Sequence, residues 1–326
     1  MEKVNVAVTQ MACSIDYETN VKKAEQVVRD AAAKGAHIIL LQELFSGPYF
    51  CKVQDSAYFS LAREKDKSGL IKGFSALAKE LGVVLPISFF ERAGQAYFNS
   101  MAMIDADGTV MGIYRKTHIP QGPGYEEKYY FSPGDTGFKV WATRFGKVGV
   151  GICWDQWFPE SARSMALMGA DILLYPTAIG SEPQMPGYDS QPHWQRTMQG
   201  HSAANVIPVC ASNRIGTEKD RDVEMTFYGT SFITGNTGEI LAQCDRNTQD
   251  IKIVSFDFKE IENMRAGWGL FRDRRPSMYG TIGGFDGGPK KPMMSCRKTT
   301  RKFWTWLPAI STSAPWPPST PGAAWP

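Results

Sequence analysis

The sequence predicts an α/β fold in which two mixed β-sheets pack together and helices cover them. Strand-like and helix-like segments alternate from residue 4 to residue 258, which favours a layered α/β architecture. Several neighbouring strands are joined by short turns, such as the one at Asp107-Gly108, and such hairpins make the sheets mixed rather than purely parallel. A chain of 326 residues is long enough to bury the core of such a fold.

The first part of the chain contains three predicted strands and two predicted helices. The segment "VNVAVTQ" alternates apolar and polar residues at the period of a strand, and "HIILLQE" is an apolar run typical of a strand covered on both faces. Thr19 is the expected N-cap of the first helix and Gly35 its expected stop. The strand patterns cover residues 4–10, 37–43 and 83–91, and the helical patterns cover residues 19–36 and 68–82.

The second part of the chain contains three hairpins, two helices and three single strands. The turns of the hairpins are expected at Asp107-Gly108, near Gly146 and around Asn236 to Gly238, where turn residues interrupt apolar runs. Hairpin patterns cover residues 98–116, 138–153 and 230–244, helical patterns cover 159–170 and 193–207, and single strands cover 171–177, 208–214 and 250–258.

The composition changes near residue 281, and this predicts a domain over residues 1–280 followed by a tail over residues 281–326. Eight of the 20 prolines and four of the nine tryptophans lie in the tail, without a helical or strand period. Such a segment does not build a core, so we expect it to be disordered or non-native. A proline-rich motif that binds a partner is the alternative.

Charge, hydropathy and cysteine usage exclude several classes of protein. A net charge of +3 gives no electrostatic footprint for nucleic acid or anionic lipid. No apolar stretch approaches the ~20 residues of a membrane span, and the start "MEKVNVAVTQ" does not resemble a signal peptide. The six cysteines are scattered without a CxxC pair. This distribution favours free thiols in a reducing compartment, and hence a cytoplasmic protein without a membrane or nucleic-acid partner.

An acid, a base and a thiol each end a predicted apolar strand. Glu43 ends "HIILLQE", Lys116 ends "VMGIYRK" and Cys153 ends "KVGVGIC". Each has a structural explanation taken singly: a strand leaving the core, a surface charge, or a small buried side chain. Because ligands gather at strand ends in layered α/β folds, the three together predict one site. A thiol nucleophile, a carboxylate base and an ammonium that stabilises an oxyanion form coherent chemistry.

The segments around these residues carry a resemblance to a known family. "LQELFSGPYF", "YRKTHIP" and "GICWDQWFPESAR", in this order, resemble the Glu-Lys-Cys signature of the nitrilase (carbon–nitrogen hydrolase) superfamily. "YPTAIGSEPQ" and "QGHSAANVIPVCASNRIG" are similar to its N-carbamoylputrescine amidase branch. The resemblance implies a four-layer αββα sandwich with two mixed sheets and outer helices, which usually forms a homodimer or higher homo-oligomer.

The resemblance also implies roles for individual residues. It makes Glu43 the general base, Lys116 the oxyanion-stabilising lysine and Cys153 the nucleophile. Glu127 matches a second glutamate of the amidase branches, and its neighbour Glu126 is an alternative. The backbone N–H just after the nucleophile, that of Trp154, would be a second oxyanion donor. No metal or organic cofactor is needed, and the four histidines do not show metal-ligand spacing.

The implied substrate is a small carbamoyl amine, cleaved at its ureido C–N bond through a thioester. Relatives that act on carbamoyl amino acids tend to place arginines shortly after the nucleophile, whereas residues 154–157 contain no cation. A substrate that ends in an ammonium fits better, and Glu182 is the expected partner of that ammonium. The alternative is that Glu182 is only a solvated acid of a loop. Tyr49 and Trp157 are candidates for lining an apolar channel around a four-carbon spacer, or else for packing the core.

Two other interpretations of the sequence stay open. One is a different carbon–nitrogen hydrolase, such as a β-ureidopropionase, an ω-amidase or a nitrilase. The other, from a different functional class, is a catalytically silent binding protein on the same fold. The intact set of Glu43, Lys116 and Cys153 favours an enzyme, because a silent relative is free to lose any of the three.

Overall fold

A computed structural model describes residues 3–288 of the chain. Residues up to Asp273 form one compact unit. Arg274 begins a second unit, whose described part contains two 3₁₀ turns, Pro276–Met278 and Gly280–Gly283. Most of the tail predicted from residue 281 lies outside the described residues.

The order of strands and helices follows the sequence pattern closely. The strands are β1 Val4–Gln10, β2 Ile38–Leu40, β3 Leu85–Ala93, β4 Ala96–Ile104, β5 Val110–Arg115, β6 Val140–Thr143, β7 Gly146–Val150, β8 Ile172–Pro176, β9 Val209–Ser212, β10 Ile215–Asp220, β11 Val223–Tyr228, β12 Phe232–Thr234, β13 Ile240–Gln243 and β14 Asp250–Phe256. The helices are α1 Tyr17–Ala33, α2 Gly69–Leu81, α3 Glu127–Tyr130, α4 Pro159–Leu167, α5 Gln191–Asn205 and α6 Phe258–Trp268.

Two mixed sheets carry the fold. In the first, β1 pairs with β14 antiparallel and with β2 parallel, and a bridge between Ile38 and Val84 leads on to the antiparallel strands β3, β4 and β5. The second has the order β13-β12-β9-β8-β7-β6, with β7, β8 and β9 parallel. A separate hairpin, β10-β11, was not predicted from the sequence.

The two sheets face each other across an apolar core, and helices cover their outer faces. Val6, Ile38 and Met101 of the first sheet pack against residues such as Val148 and Leu174 of the second. On the outer face of the first sheet lie α1 and α2, and on that of the second lie α4 and α5. The predicted αββα sandwich is therefore confirmed.

Several local details differ from the sequence-based expectation. Strands β2 and β7 end at Leu40 and Val150, so Glu43 and Cys153 lie beyond the strands that they were predicted to end. Helix α1 begins at Tyr17 because Asp16, rather than Thr19, is its N-cap: the Asp16 carboxylate accepts a hydrogen bond from the Thr19 amide at 2.8 Å. An aspartate in this position satisfies one of the free N–H groups of the first turn. Helix α6, which follows β14 directly behind the cap Asp257, was also not predicted.

Candidate active site

The segments that leave three strands bring the predicted residues together. Glu43 follows the end of β2, Lys116 follows β5 directly, and Cys153 lies just beyond β7, at the start of the 3₁₀ helix Cys153–Trp157. All three side chains are buried. Burial of an acid, a base and a thiol in one place needs compensating partners, because an unpaired buried charge is costly.

Lys116 stands between two carboxylates. Its ammonium donates to Glu43 Oε1 at 2.9 Å and to Glu127 Oε2 at 2.7 Å, and the three side chains are fully buried. Asn99 Nδ2 donates to Glu43 Oε1 at 2.6 Å, and the Tyr49 hydroxyl donates to Glu127 Oε1 at 2.8 Å. Both carboxylates are thus fixed by hydrogen bonds, while Glu43 Oε2 has no hydrogen-bond partner among the described residues.

The two neighbouring glutamates of the "YEEKYYF" segment have different surroundings. Glu127, at the start of α3, is fully buried on Lys116. Glu126 is half-buried and accepts hydrogen bonds from Gln54 and Gln121 instead. The geometry therefore brings Glu127, and not Glu126, into contact with Lys116.

The charges of this cluster shift one another's protonation. Burial alone would lower the pKa of Lys116, but the neighbouring Glu127 and Glu43 carboxylates outweigh it and raise that pKa well above its ordinary value. Burial raises the pKa of Glu127 to about 7, against the opposing effect of Lys116. The two carboxylates therefore favour the charged form of Lys116, while burial favours the protonated form of Glu127.

Cys153 lies within the electrostatic field of the same cluster. Burial raises the pKa of its thiol well above the ordinary value; Glu43 and Glu127 raise it further, and Lys116 opposes them. The resting group is therefore a thiol, which needs a base before it can attack.

The backbone is unusual both at Cys153 and next to Glu43. Cys153 has φ 41° and Leu44, which follows Glu43, has φ 49°. Residues other than glycine rarely adopt this left-handed region, and when they do they concentrate at functional sites. The two strained turns therefore coincide with the predicted nucleophile and the predicted base.

A buried carboxylate that the sequence-based reasoning passed over ties the turn at Cys153 to the segment that follows Lys116. Asp155 Oδ2 accepts from the Tyr114 hydroxyl at 2.7 Å and from the Ile152 amide at 2.9 Å. Asp155 Oδ1 lies 3.0 Å from the backbone N of His118, which donates to it, and 2.7 Å from His118 Nδ1. The signal in the sequence is an acid inside the otherwise uncharged stretch "CWDQWF".

Two further positions support the cluster without having been predicted. Asn99, which holds Glu43, is a buried polar residue in the middle of the apolar strand β4. Gly134 donates its N–H to the Lys116 carbonyl at 2.8 Å, and a Cβ atom there would lie 2.7 Å from the same oxygen. Only glycine fits this close approach behind the lysine.

The aromatic candidates occupy two different places. Tyr49 is fully buried, and its hydroxyl contacts Glu127, so its place in the structure is within the polar cluster. Trp154 is 37% exposed, and the centre of its ring lies 6.0 Å from that of Trp157. Trp157 in turn meets His193 edge-on at 4.8 Å.

Glu182 lies in the loop after β8, and its charge acts on Tyr125, on which the charge of Cys153 acts as well. Burial raises the pKa of Tyr125 well above its ordinary value, and the charges of Glu182 and Cys153 raise it further. The Tyr125 hydroxyl accepts from the Gly180 amide at 3.0 Å. Glu182 itself is half-buried.

The described residues offer no alternative centre of metal chemistry and no membrane helix. Within residues 3–288, no group of three or more His, Cys, Asp or Glu side chains is arranged to hold a metal ion. No helix in this range is both long and apolar enough to cross a membrane.

Comparison with known proteins identifies the family. The family model described as carbon-nitrogen hydrolase matches residues 5–266. The chain is 58% identical to the citrullinase of Francisella tularensis subsp. tularensis (strain SCHU S4 / Schu 4), over 86% of this chain and 99% of that protein. It is 57% identical to the N-carbamoylputrescine amidase of Arabidopsis thaliana, over 87% of this chain and 97% of that protein.

Solved structures agree with the sequence comparison. The crystal structure of a carbon-nitrogen hydrolase from Helicobacter pylori G27 has a TM-score of 0.83 at 37% identity, and the match covers 87% of this chain and 100% of that one. The resemblance seen in the Glu-Lys-Cys segments thus extends through the whole sandwich. The chain belongs to the carbon–nitrogen hydrolase family.

Proposed function

We propose that this protein hydrolyses the ureido C–N bond of N-carbamoylputrescine to putrescine, carbon dioxide and ammonia, a reaction of polyamine biosynthesis. The observation that carries the reaction type is the buried Lys116, bound by both Glu43 and Glu127 beside the Cys153 thiol. The substrate rests on the 57% identity to a plant protein named for this activity.

Cys153 is the proposed nucleophile and Glu43 the proposed base. Glu43 takes the proton of the Cys153 thiol as sulfur forms a bond to the ureido carbonyl carbon. The free Oε2 of Glu43 supports this role, since it is available to accept a proton. Collapse of the tetrahedral intermediate breaks the bond to the terminal nitrogen, which leaves as ammonia with the proton that Glu43 returns.

Lys116 and the Trp154 amide are the proposed partners of the oxyanion. A ureido carbonyl receives electron density from two nitrogens and is a poor electrophile. Attack on its carbon therefore needs strong stabilisation of the negative charge that develops on its oxygen. The raised pKa of Lys116 keeps its ammonium charged throughout the reaction. The Trp154 amide belongs to the first turn of a 3₁₀ helix, where N–H groups lack acceptors within the helix.

Hydrolysis of the thioester completes the cycle. After ammonia has left, Glu43 removes a proton from water, and the hydroxide attacks the carbamoyl carbon. The C–S bond breaks, and the Cys153 sulfur regains its proton from Glu43. The released carbamate of putrescine then breaks down to carbon dioxide and the free amine, so no redox or metal step is required.

Glu182 is the proposed partner of the substrate's distal ammonium, and Trp154 and Trp157 are proposed to line its spacer. The shared electrostatic contact of Glu182 and Cys153 with Tyr125 supports a short path between the nucleophile and this acid. The absence of cations at residues 154–157 is consistent with a substrate without a carboxylate near its ureido group.

Citrulline hydrolysis is the second candidate, because the relative at 58% identity is named citrullinase. Citrulline has the same ureido group and the same four-atom carbon path to its amine as N-carbamoylputrescine. It differs by one carboxylate on the carbon that bears the amine. An acid at this end of the site attracts both ammonium groups but repels that carboxylate, and Glu182 therefore favours N-carbamoylputrescine.

Ammonia release from N-carbamoylputrescine, citrulline and N-carbamoyl-β-alanine, measured side by side, tests the substrate. We expect the highest kcat/KM for N-carbamoylputrescine. In Glu182→Gln this value should fall roughly 10- to 150-fold, the equivalent of a lost charge-assisted hydrogen bond. The value for N-carbamoyl-β-alanine, which lacks an ammonium, should change little. A higher kcat/KM for citrulline would replace the proposed substrate by the second candidate.

Substitution of the thiol tests the nucleophile. Cys153→Ala should abolish turnover while the far-UV and near-UV circular dichroism spectra stay those of the folded protein. Cys210→Ala, at a fully buried cysteine of β9, is the matched control and should lose stability only. Turnover by Cys153→Ala near the rate of the unaltered protein would exclude the thioester route.

We further propose a cytoplasmic homo-oligomer, at least a dimer. Leu167 and Met168 at the end of α4, and Met264 and Trp268 on α6, are exposed apolar side chains, with Trp268 68% exposed. Exposed apolar residues of this size favour burial between subunits. Five cysteines within the described residues are free thiols, which supports a reducing compartment. Sedimentation velocity and cell fractionation test the two statements.

A further inference from the structure

A second buried ion pair lies next to the proposed catalytic cluster and has no part in the chemistry described above. Arg214 directly precedes β10, and Glu218 lies on that strand. Arg214 is fully buried and Glu218 is 9% exposed; their side chains pair at 2.8 Å. Such a pair is weak evidence for stability, because desolvation of two charges offsets most of their attraction.

The Arg214 guanidinium holds the backbone of the turn that carries Glu43. One of its nitrogens donates to the carbonyls of Glu43 at 3.1 Å and Leu44 at 2.6 Å, and the other donates to that of Gly47 at 3.0 Å. This turn follows the end of β2 and contains the strained Leu44. Only the planar fork of arginine reaches several carbonyls and a carboxylate at once.

Glu218 holds the other side of the cluster. Its Oε2 accepts from the Tyr49 amide at 2.7 Å and from the Lys52 ammonium at 3.3 Å. The hydroxyl of the same Tyr49 donates to Glu127. Glu218 therefore fixes the backbone of the residue whose side chain holds the second carboxylate.

Together these contacts close a ring of hydrogen bonds. It runs from Arg214 through the Glu43 backbone to the Glu43 carboxylate, then through Lys116, Glu127, Tyr49 and Glu218 back to Arg214. The pair thus contacts the backbone of Glu43, which carries one carboxylate of the site, and the backbone of Tyr49, whose hydroxyl holds the other. A role confined to stability would account for the burial of the pair. It would not require that the hydrogen bonds of the pair lead to both carboxylates that contact Lys116.

We infer that Arg214 and Glu218 are a positioning pair that fixes the separation of the Glu43 and Glu127 carboxylates around Lys116. The inference rests on the proposed function, in which Glu43 is the base. Neither residue of the pair touches the reacting atoms. Their effect is to keep Glu43 within the electrostatic reach of Cys153 while Glu127 stays on the lysine.

Arg214→Lys and Glu218→Gln test the pair at a temperature where circular dichroism shows each variant fully folded. Lysine keeps the charge but lacks the fork, so kcat for N-carbamoylputrescine should fall roughly 10- to 100-fold, since a misplacement of about 1 Å can cost about 100-fold. KM should change little. Glu218→Gln keeps the shape and should lower kcat in the same direction, with a shifted pH–rate profile.

Arg265→Met is the matched control. Arg265 lies on α6 and also donates to a backbone carbonyl, that of Val206, at 3.0 Å, but within the described residues it has no contact with the catalytic cluster. Its loss should reduce thermal stability and leave both kcat and the pH–rate profile unchanged. Equal losses of kcat in Arg265→Met and Arg214→Lys would reduce the pair to a stabilising role.

A double substitution separates positioning from stability. Tyr49→Phe removes the hydroxyl that holds Glu127, so it should act on the same carboxylate separation. Because coupled sites are non-additive, Arg214→Lys combined with Tyr49→Phe should lose much less than the product of the two single losses. Losses that multiply would overturn the inference. If Arg214→Lys does not fold, the same cycle is run with Glu218→Gln.

Glu43→Gln distinguishes a failure of the proposed mechanism from a failure of the positioning inference alone. If it turns over N-carbamoylputrescine at the unaltered rate, Glu43 is not the base, and the positioning inference fails with the proposed mechanism while the proposed substrate stands. If Glu43→Gln is inactive while folded Arg214→Lys and Glu218→Gln keep full kcat, only the positioning pair is refuted.

Discussion

Asp155→Asn is the substitution whose effect follows most directly from the structure. The carboxylate of Asp155 accepts hydrogen bonds from the amides of Ile152 and His118 and from the Tyr114 hydroxyl, and it contacts the His118 ring. Asparagine has one acceptor oxygen, which can keep the two contacts to His118. Its NH₂ group then faces the Ile152 amide, a donor, directly before the turn at Cys153.

The magnitude follows from this mismatch. The Tyr114 hydroxyl can rotate to accept from the new NH₂ group, but the Ile152 amide loses its acceptor. A buried donor without a partner costs about 1–3 kcal/mol, and for a unit of this size that lowers Tm by about 2–12 °C. Relief of the unfavourable contact would move the turn that carries Cys153, and kcat should fall roughly 10- to 100-fold.

The assay is ammonia release from N-carbamoylputrescine, together with thermal unfolding followed by circular dichroism. Asp171→Asn is the control. The Asp171 carboxylate also accepts from a backbone amide, that of Lys147, at 2.8 Å, but Asp171 lies between α4 and β8 and not at the turn of Cys153. It should lose some Tm and no kcat. Full kcat in Asp155→Asn, with a loss of Tm alone, would show that Asp155 does not position Cys153.

Three further predictions follow. Burial raises the pKa of Glu127 from 4.5 to about 7. Its stabilising contribution is therefore present below pH 4.5 and is lost as pH rises through 7. Urea unfolding from pH 4.5 to 8 should show a steeper decline in the free energy of unfolding for the unaltered protein than for Glu127→Gln. Gly134→Ala should lower kcat on folded protein, because its Cβ would clash with the backbone carbonyls of Arg115 and Lys116. Unchanged kcat would show that the backbone at Arg115 and Lys116 can shift without moving the Lys116 ammonium. A chain ending at residue 285 should keep the kcat and Tm of the full chain if the tail adds no core, and a large fall in Tm would contradict this expectation.

Much of the fold was predictable because its signals are local. Periods of two and 3.6 residues mark strands and helices within a few neighbouring positions, and glycine, proline and Asx residues mark where they end. Helix α1 shows how local errors arise: Asp16 and Thr19 are both suitable caps, and only the geometry shows which of them accepts the hydrogen bond. Helix α6 was missed because its apolar stripe is short, with Ile261 its one buried residue.

The sequence by itself, through its strand and helix periods and its family resemblance, determined the αββα sandwich. It also placed Lys116 directly after a strand and Glu43 and Cys153 a few residues beyond one, because the residues that end a strand are neighbours in the chain. The tertiary structure alone decided which partners surround them. It brought Glu127 rather than Glu126 onto Lys116, and Arg214 onto the Glu43 carbonyl across 171 positions of the chain. A hydrogen bond of this kind depends on two sheets meeting at a fixed distance, and no spacing within the sequence encodes that distance.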